Sequence, residues 1–336
     1  MAKLTRILSI DGGGIRGIIP AQVLISLEKK LQERTGNPEA RLADFFDLVA
    51  GTSTGGILTC IYLCPDVTGN PTRPRFSAEE ALDLYLKKGG KIFDLSIWQR
   101  LTSGAGILDE KYSIGSLEQE LESYLGELKL SDLLKPTLIT AYDLERRCAK
   151  FFTRHDAVER KSEDYYLREV ARATSAAPTY FEPKGLESFS GTFYALIDGG
   201  VFANNPALCA YAEARMKLPG QPKTEDMALL SIGTGYVKKK YPFKEAKDWG
   251  LLEWAKPVID IMMTGVAETV DYQLRRIFEA AERPDQYLRI DGKLKNAKPD
   301  LDEASAANLG NLAKDGKRIG REFDEQLEGF LKYLME

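Results

Sequence analysis

The sequence predicts an α/β protein, built as a three-layer sandwich around a mostly parallel central sheet. Strand-like apolar runs alternate along the chain with amphipathic helical patterns, which is typical of a parallel sheet covered on both faces. Two of these runs, ending near residues 10 and 50, pass directly into glycine-rich turns. Ligands of such sheets bind where strands end, so these turns are the first candidates for a functional site.

Local patterns indicate the individual helices and strands. The first helix should begin near Pro20, which suits a first helical turn, and end before Gly36. A second helix should follow the capping box of Ser77 and Glu80. Helical spacing of apolar residues is seen at Leu24, Leu27 and Leu31; at Ala81, Leu84 and Tyr85; at Leu117, Leu121 and Leu125; and at Phe323, Leu327, Leu331 and Leu334. Strands are predicted at 137–142, 150–153, 193–197 and 228–232.

The segment that follows the apolar run at Leu48 has the form Gly-x-Ser-x-Gly, with Ser53 at its centre. Gly51 and Gly55 permit a tight strand-to-helix turn that would present the serine hydroxyl to a cleft. The helix after the turn would direct its free N–H groups toward developing negative charge. Ser53 is therefore a candidate nucleophile, although the pattern alone is weak because small residues surround many serines.

A second glycine-rich turn, Asp11-Gly-Gly-Gly-Ile-Arg-Gly, follows the first predicted strand. Successive N–H groups at Gly12, Gly13 and Gly14 can converge on an anion. Arg16 adds a permanent positive charge and a planar set of donors suited to phosphate. The alternative is an ordinary connection whose arginine is solvated or ion-paired.

The third motif is Asp198-Gly199-Gly200, which also follows a strand-like run. An acidic residue at a strand end lies where an α/β sheet presents side chains to its ligand. Seen alone, Asp-Gly is more typical of a simple turn.

Together and in this order, the three motifs resemble those of the patatin-like phospholipase family, which is related to calcium-independent phospholipase A2. Weaker similarity at 42–47, 130–136 and 173–181 extends the resemblance over about the first 235 residues. The resemblance implies a patatin-like fold and a lipid acyl hydrolase without a cofactor. It implies Ser53 as nucleophile, Asp198 as general base, and an oxyanion hole at the three glycines of the first loop. Arg16 would brace that loop or contact the lipid phosphate.

The histidine count bears on this mechanism independently, because His155 is the only histidine of the chain. A Ser-His-Asp triad would run in the order Ser53, His155, Asp198, whereas α/β-hydrolases place histidine last. We expect His155 to be exposed or structural, which leaves a dyad of Ser53 and Asp198. Burial of Asp198 would raise its proton affinity and so its strength as a base.

Chain organisation favours one domain: a catalytic part at 1–235 and a mainly helical extension at 236–336 packed on it, since no clear linker divides the chain. The balance of 46 basic against 50 acidic residues argues against a nucleic-acid polymer as partner. The N-terminus lacks a signal-peptide pattern, and four cysteines with one histidine suggest neither a disulfide framework nor a metal site. A cytoplasmic enzyme is expected.

Membrane contact should be transient and peripheral, with phospholipid or another acyl lipid as substrate. Residues 48–65 carry no charge, but they read as strand, turn and helix rather than as a membrane span. Residues 92–107 are a candidate lid. Trp249 and Trp254 with the lysines at 238–240 could form an aromatic and basic surface that contacts the membrane. The favoured interpretation is that the two tryptophans are core residues and that the lysines are a solvated charge run.

Two other functions stay open. Residues 11–14 and 231–235 could be the nucleotide loops of a sugar-kinase-like phosphotransferase, but no lysine follows the glycines and two of the three motifs would be unexplained. A non-enzymatic lipid-binding or storage protein is the second alternative. Regulation by a small nucleotide bound to the last hundred residues is a further possibility, and only the resemblance to bacterial members of the family suggests it. The oligomeric state is not predicted.

Overall fold

The computed structural model describes residues 4–92, 110–238 and 240–335. In this part of the chain, eight strands form one sheet in the order β5-β6-β3-β2-β1-β7-β8, and β4 also pairs with β3. The neighbours along β3-β2-β1-β7-β8 are parallel, whereas the pairings of β4, β5 and β6 are antiparallel. The strands are β1 (Thr5–Ile10), β2 (Leu48–Thr52), β3 (Thr137–Asp143), β4 (Cys148–Thr153), β5 (Lys184–Glu187), β6 (Phe193–Asp198), β7 (Met227–Ile232) and β8 (Tyr287–Ile290).

Helices cover both faces of the sheet. They are α1 (Ile18–Thr35), α2 (Leu42–Phe45), α3 (Thr54–Leu63), α4 (Ala78–Ile92), α5 (Glu110–Leu125), α6 (Arg154–Glu159), α7 (Leu167–Thr174), α8 (Gly200–Ala203), α9 (Ala207–Lys217), α10 (Phe243–Ala246), α11 (Leu251–Ala280), α12 (Ala306–Glu322) and α13 (Asp324–Met335). Short 3-10 turns occur at Gly14–Gly17, Leu130–Asp132, Lys161–Glu163, Thr224–Asp226 and Pro284–Gln286.

The apolar side chains of the central strands alternate between the two faces of the sheet and so contribute to two separate hydrophobic cores. In β1, Ile7 belongs to a core shared with residues of α9 and α11. The next residue, Leu8, belongs to a larger core shared with α1, α3, α7, α12 and α13. Successive side chains of a strand point to opposite faces, so the two cores lie on the two sides of the sheet. The predicted three-layer α/β architecture is confirmed.

Most of the predicted elements occur within one or two residues of their expected bounds. Helix α1 is capped at its C-terminal end by Gly36, whose φ of 63° is the left-handed conformation that glycine adopts readily. The capping box before α4 is present: the Ser77 N–H donates to the Glu80 carboxylate at 2.8 Å, and the Glu80 N–H donates to the Ser77 hydroxyl at 3.2 Å. The uncharged stretch 48–65 contains β2 and α3, as expected.

The last hundred residues contribute more to the sheet than the sequence indicated. Strand β8, which was not predicted, pairs in parallel with β7 along four residues. Helix α12 packs along α1, and the Arg6 guanidinium donates to the carbonyl of Leu334 at 3.1 Å. The C-terminal part is therefore mainly helical, and it also completes one edge of the sheet.

The sequence suggested a lid at 92–107 and an interpretation of two tryptophans, and the structure tests only the second. The candidate lid at 92–107 lies outside the described residues apart from Ile92. The interpretation of Trp249 and Trp254 as core residues is wrong: Trp249 is half-buried and Trp254 is 40% exposed. The two rings meet edge-on at 5.0 Å, on the surface. Within the described ranges, no helix combines the length and hydrophobicity needed to cross a bilayer.

Candidate active site

Ser53 lies at the sharp turn between β2 and α3. Its φ of 54° and ψ of −122° are rare for a residue with a side chain, and such strain is characteristic of a nucleophile elbow. The turn needs its glycines because the backbone approaches so closely. A Cβ atom at Gly55 would lie 2.1 Å from the Ile10 carbonyl oxygen, and one at Gly51 would lie 2.3 Å from the Gly55 carbonyl oxygen. The predicted strand-turn-helix geometry is therefore present.

Buried hydroxyl groups hold the turn in place. The Ser53 N–H donates to the hydroxyl oxygen of Thr174 at 2.9 Å, and that hydroxyl donates to the Thr140 carbonyl at 2.6 Å. The preceding residue, Thr52, shares a 2.7 Å hydrogen bond with the Thr140 hydroxyl. These contacts connect the elbow with β3 and with the end of α7, so they fix the orientation of the serine.

Asp198 is the last residue of β6 and is buried beside the elbow. Its carboxylate lies beside the Ser53 hydroxyl and accepts a hydrogen bond, 2.7 Å long, from the Gly200 N–H. Burial raises the pKa of Asp198 to about 6, and the neighbouring Ser53 hydroxyl and the Gly200 N–H oppose part of the rise. Because both partners are neutral, no counter-ion cancels the cost of burying the charge. The structure thus brings together two residues that are 145 positions apart in the sequence.

The glycine-rich loop after β1 lies against the same site, but its N–H groups are not equivalent. The Gly12 N–H donates to the Asn204 carbonyl at 3.0 Å, so it is not free to meet an oxyanion. The N–H groups of Gly13 and Gly14 donate to none of the described residues, and both glycines line the cleft together with Ser53. Gly14 has a φ of +56°, and a Cβ there would lie 2.4 Å from the Leu301 carbonyl oxygen.

Arg16 lies beside this loop and is not part of the cleft wall. One of its guanidinium nitrogens donates to the Gly235 carbonyl at 3.3 Å. Burial lowers the pKa of Arg16, while the carboxylates of Asp291 and Asp260 oppose that shift. In this position Arg16 can connect the glycine loop with the turn after β7.

A buried ion pair at the start of the loop was not anticipated from the sequence. Arg289 of β8 donates to both oxygens of Asp11, at 2.8 and 2.6 Å, and also to the Ser231 hydroxyl and the Asp291 carboxylate. Burial alone would lower the pKa of Arg289, but the carboxylates of Asp11 and Asp291 raise it above its ordinary value. The charge at Arg289 is therefore permanent. Only the acidic residue of this pair belonged to a recognisable motif.

The cleft in front of Ser53 has a volume of about 1070 Å³, including its open mouth. Its walls are mainly apolar, and among the residues that the structure describes only Asp198 and Asp302 contribute carboxylates to them. The lining residues contributed by separate parts of the chain include Ile57, Leu117, Phe181, Val201, Met263 and Leu301. An apolar cleft with few polar groups suits a ligand with a hydrocarbon chain.

His155 lies elsewhere, in α6, and does not line the cleft. Its Nε2 is 2.7 Å from the Glu213 carboxylate, and Asp156 is close by. Within the described part of the chain, these three residues bring potential metal-ligand atoms within 4.8 Å of one another. Asp156 is, however, already paired with Arg160 at 2.8 Å and with Lys217 at 3.6 Å. Positive neighbours disfavour a metal ion, so the group is better described as a surface ion-pair cluster.

Fold and site together define an α/β protein that presents an elbow serine to a buried carboxylate in an apolar cleft. A family profile described as patatin-like phospholipase matches residues 8–211. Patatin-like protein 2 of Arabidopsis thaliana is 38% identical over 94% of this chain and 83% of its own length. The chain therefore belongs to the patatin-like phospholipase family.

Other relatives show that membership of the family does not by itself establish catalysis. Patatin-like protein 1 of Arabidopsis thaliana is 36% identical, over 94% of this chain and 81% of its own length. A potato (Solanum tuberosum) protein named probable inactive patatin-3-Kuras 1 is 33% identical, over 95% of this chain and 87% of its own length. Activity of this chain must therefore be argued from its own residues.

Proposed function

We propose that the protein is a lipid acyl hydrolase of the phospholipase A or lysophospholipase type that uses a dyad of Ser53 and Asp198. The observation that carries this proposal is the placement of the Ser53 hydroxyl, at its strained elbow, beside the buried Asp198 carboxylate, whose pKa is raised to about 6; both side chains line the cleft. An alcohol nucleophile in contact with a base, at the wall of an apolar cleft, is the arrangement required for acyl transfer.

In the first half of the reaction, the Ser53 oxygen attacks the ester carbonyl carbon and its proton moves to Asp198. The carbonyl oxygen of the tetrahedral intermediate becomes negative and accepts hydrogen bonds from the N–H groups of Gly13 and Gly14. When the intermediate collapses, the C–O bond to the alcohol breaks and Asp198 returns the proton to the leaving oxygen. The acyl group is then bound to Ser53.

The second half repeats these steps with water as the nucleophile. Asp198 takes a proton from the water, whose oxygen attacks the acyl carbon. Collapse of the second intermediate releases the fatty acid and restores the Ser53 hydroxyl with the proton held by Asp198. No metal ion takes part in this scheme.

Two features compensate for the use of a carboxylate as base. The raised pKa of Asp198 increases its affinity for the serine proton, although it stays far below the pKa of an alcohol. Most of the stabilisation must therefore come from donors aimed at the oxyanion, each of which contributes on the order of 3 kcal/mol to lowering the barrier. The glycine loop and the first turn of α3 are the elements that can supply them.

The substrate is proposed to be a phospholipid or another acyl lipid, taken up during transient contact with a membrane surface. Apolar walls of the cleft favour an acyl chain over a polar ligand. A kinase-like role for the same loops is disfavoured, because it leaves the serine at the strained elbow and the buried Asp198 beside it without a function.

The test is fatty-acid release from mixed phospholipid vesicles in the presence of a metal chelator. The wild type should release fatty acid, and Ser53→Ala and Asp198→Asn should each lower turnover by about a thousandfold or more. His155→Ala is the matched control, since His155 lies outside the cleft, and it should retain normal turnover. Retained activity in Asp198→Asn, together with its loss in His155→Ala, would show that the dyad is wrong.

A further inference from the structure

A row of exposed apolar side chains lies along the first half of α11. Trp254 is 40% exposed, Val258 41%, Ile261 45% and Met262 45%. Val258 follows Trp254 by four residues, and Ile261 and Met262 follow Val258 by three and four residues, so the four side chains share one side of the helix. The second half of α11 is anchored in the protein by Val270, Leu274 and Phe278, which are buried in the smaller of the two cores. The apolar face of the first half is thus left in contact with water, which is unusual for a helix face.

Aromatic residues extend this row on the N-terminal side. Phe243, in α10, is 80% exposed. Trp249 packs edge-on against both Tyr241, at 5.4 Å, and Trp254, at 5.0 Å. Partly exposed tryptophan and tyrosine rings are enriched where proteins meet the polar boundary of a bilayer. We refer to Phe243, Trp254, Val258, Ile261 and Met262 as the interfacial patch.

The segment of the sequence that carries the interfacial patch differs in the sign of its net charge from the whole chain. Residues 236–265 contain six lysines against four acidic residues, whereas the chain carries a formal net charge of −4. Lys238 precedes α10 in this segment, and Lys244 lies within α10. Lysines near an apolar surface are attracted to anionic lipid headgroups, each by about 1 kcal/mol. The net charge of this segment is complementary to a membrane with negatively charged lipids.

The interfacial patch is continuous with the cleft that holds Ser53. Met262 belongs to both, because it lines the cleft and is also 45% exposed. Its neighbours Ile259 and Met263 on α11 line the cleft as well. An acyl chain leaving a bilayer at this helix would therefore reach the cleft along apolar side chains, without being exposed to water.

We propose that the interfacial patch is the surface by which the protein docks on a phospholipid bilayer containing anionic lipids, with the mouth of the cleft facing the membrane. The choice of a lipid surface as partner rests on the proposed function. The patch would enter the boundary between headgroups and acyl chains, while the lysines around it remain among the headgroups.

Binding can be measured by sedimentation with vesicles of phosphatidylcholine and phosphatidylglycerol. The double variant Phe243→Asp, Val258→Asp changes two patch residues that do not line the cleft. Its affinity for the vesicles should be lower than that of the wild type by about tenfold or more. The matched control is Val158→Asp, Met216→Asp, which loses two comparably exposed apolar side chains, 58% and 68% exposed, away from the cleft. It should bind like the wild type. Equal binding by both double variants would overturn the proposal.

Activity supplies a separate readout. On a monomeric, water-soluble short-chain ester, the patch variant should match the wild type, whereas on vesicles its turnover should fall in parallel with its binding. A wild type that binds vesicles through the patch but hydrolyses no ester would refute the proposed function and leave the docking surface standing. A patch variant that binds vesicles normally would refute the docking surface whatever the activity.

Two further measurements separate a bilayer from a second copy of the chain as the occupant of this surface. In a Trp98→Phe background, brominated phosphatidylcholine in the vesicles should quench the fluorescence of the remaining tryptophans, Trp249 and Trp254. Sedimentation velocity should give the same mass for the wild type and the patch variant. The proposal would be overturned by an absence of quenching. It would also be overturned if the wild type formed a dimer and the patch variant were a monomer.

Discussion

Arg289 and Asp11 form a bidentate ion pair in the interior of the protein, although 278 positions separate them in the sequence. The pair connects the last strand of the sheet with the first residue of the glycine-rich loop. Asp11 is further held through its N–H, which donates to the Ile232 carbonyl at 3.0 Å. The position of the loop that faces Ser53 therefore depends on residues from the C-terminal part of the chain.

Replacing Arg289 by methionine should lower the free energy of unfolding by about 3–5 kcal/mol, because a buried carboxylate loses its counter-ion. Urea unfolding of the wild type and the variant measures the loss. The double variant Asp11→Asn, Arg289→Met removes both charges and should recover part of that stability. If the double variant lost the sum of the two single losses, the two residues would not be coupled.

The features that were predicted from the sequence are those encoded locally. The elbow at Ser53 follows from glycines within two residues of the serine, and the caps of α1 and α4 follow from Gly36 and from the Ser77–Glu80 pair. Strand β8 was missed because its four residues include the charged Arg289, which reads as a surface residue until its partners are known. The hydrogen bond from the Gly12 N–H to the Asn204 carbonyl could not be predicted either, since it joins the loop after β1 to the turn after α8, which is 192 positions away in the sequence.

The activity should depend on pH through the ionisation of Asp198. The base must be unprotonated to accept the Ser53 proton, and its pKa is raised to about 6. The specificity constant, kcat/KM, should therefore be constant above about pH 7 and fall about tenfold for each pH unit below pH 6. The measurement is the pH profile of kcat/KM on a soluble ester. Full activity maintained down to pH 4.5 would show that the carboxylate has an ordinary pKa or is not the base.

The same raised pKa predicts the stability of Asp198→Asn. A carboxyl group whose pKa is higher in the folded state contributes stability below the unfolded value, near 3.8, and loses it as the pH rises through about 6. At pH 7 the wild type thus bears a cost of about 3 kcal/mol for ionised Asp198, which the amide avoids while still accepting from the Gly200 N–H. The variant should be the more stable protein at pH 7 and similar to the wild type near pH 4. Urea unfolding at both pH values is the check, and a variant less stable at pH 7 would contradict it.

Thr174 is expected to act on catalysis through the position of Ser53. Its hydroxyl oxygen accepts the Ser53 N–H at 2.9 Å, so Thr174→Val keeps the shape of the side chain but leaves that buried N–H without an acceptor. Stability should fall by about 1–3 kcal/mol. Because the elbow is strained, kcat should fall as well, by about tenfold or more, with KM little changed, since no contact to the substrate is removed.

Two variants make the Thr174 result interpretable. Thr174→Ser retains the hydroxyl and should restore most of kcat. Thr59→Val removes another fully buried threonine hydroxyl, one that donates to the Gly55 carbonyl within α3 at 2.9 Å, and it should cost stability with little effect on kcat. Steady-state kinetics on a soluble ester, together with urea unfolding of all three variants, separates positioning from stability. If kcat followed stability equally in Thr174→Val and Thr59→Val, Thr174 would have no specific role in orienting the serine.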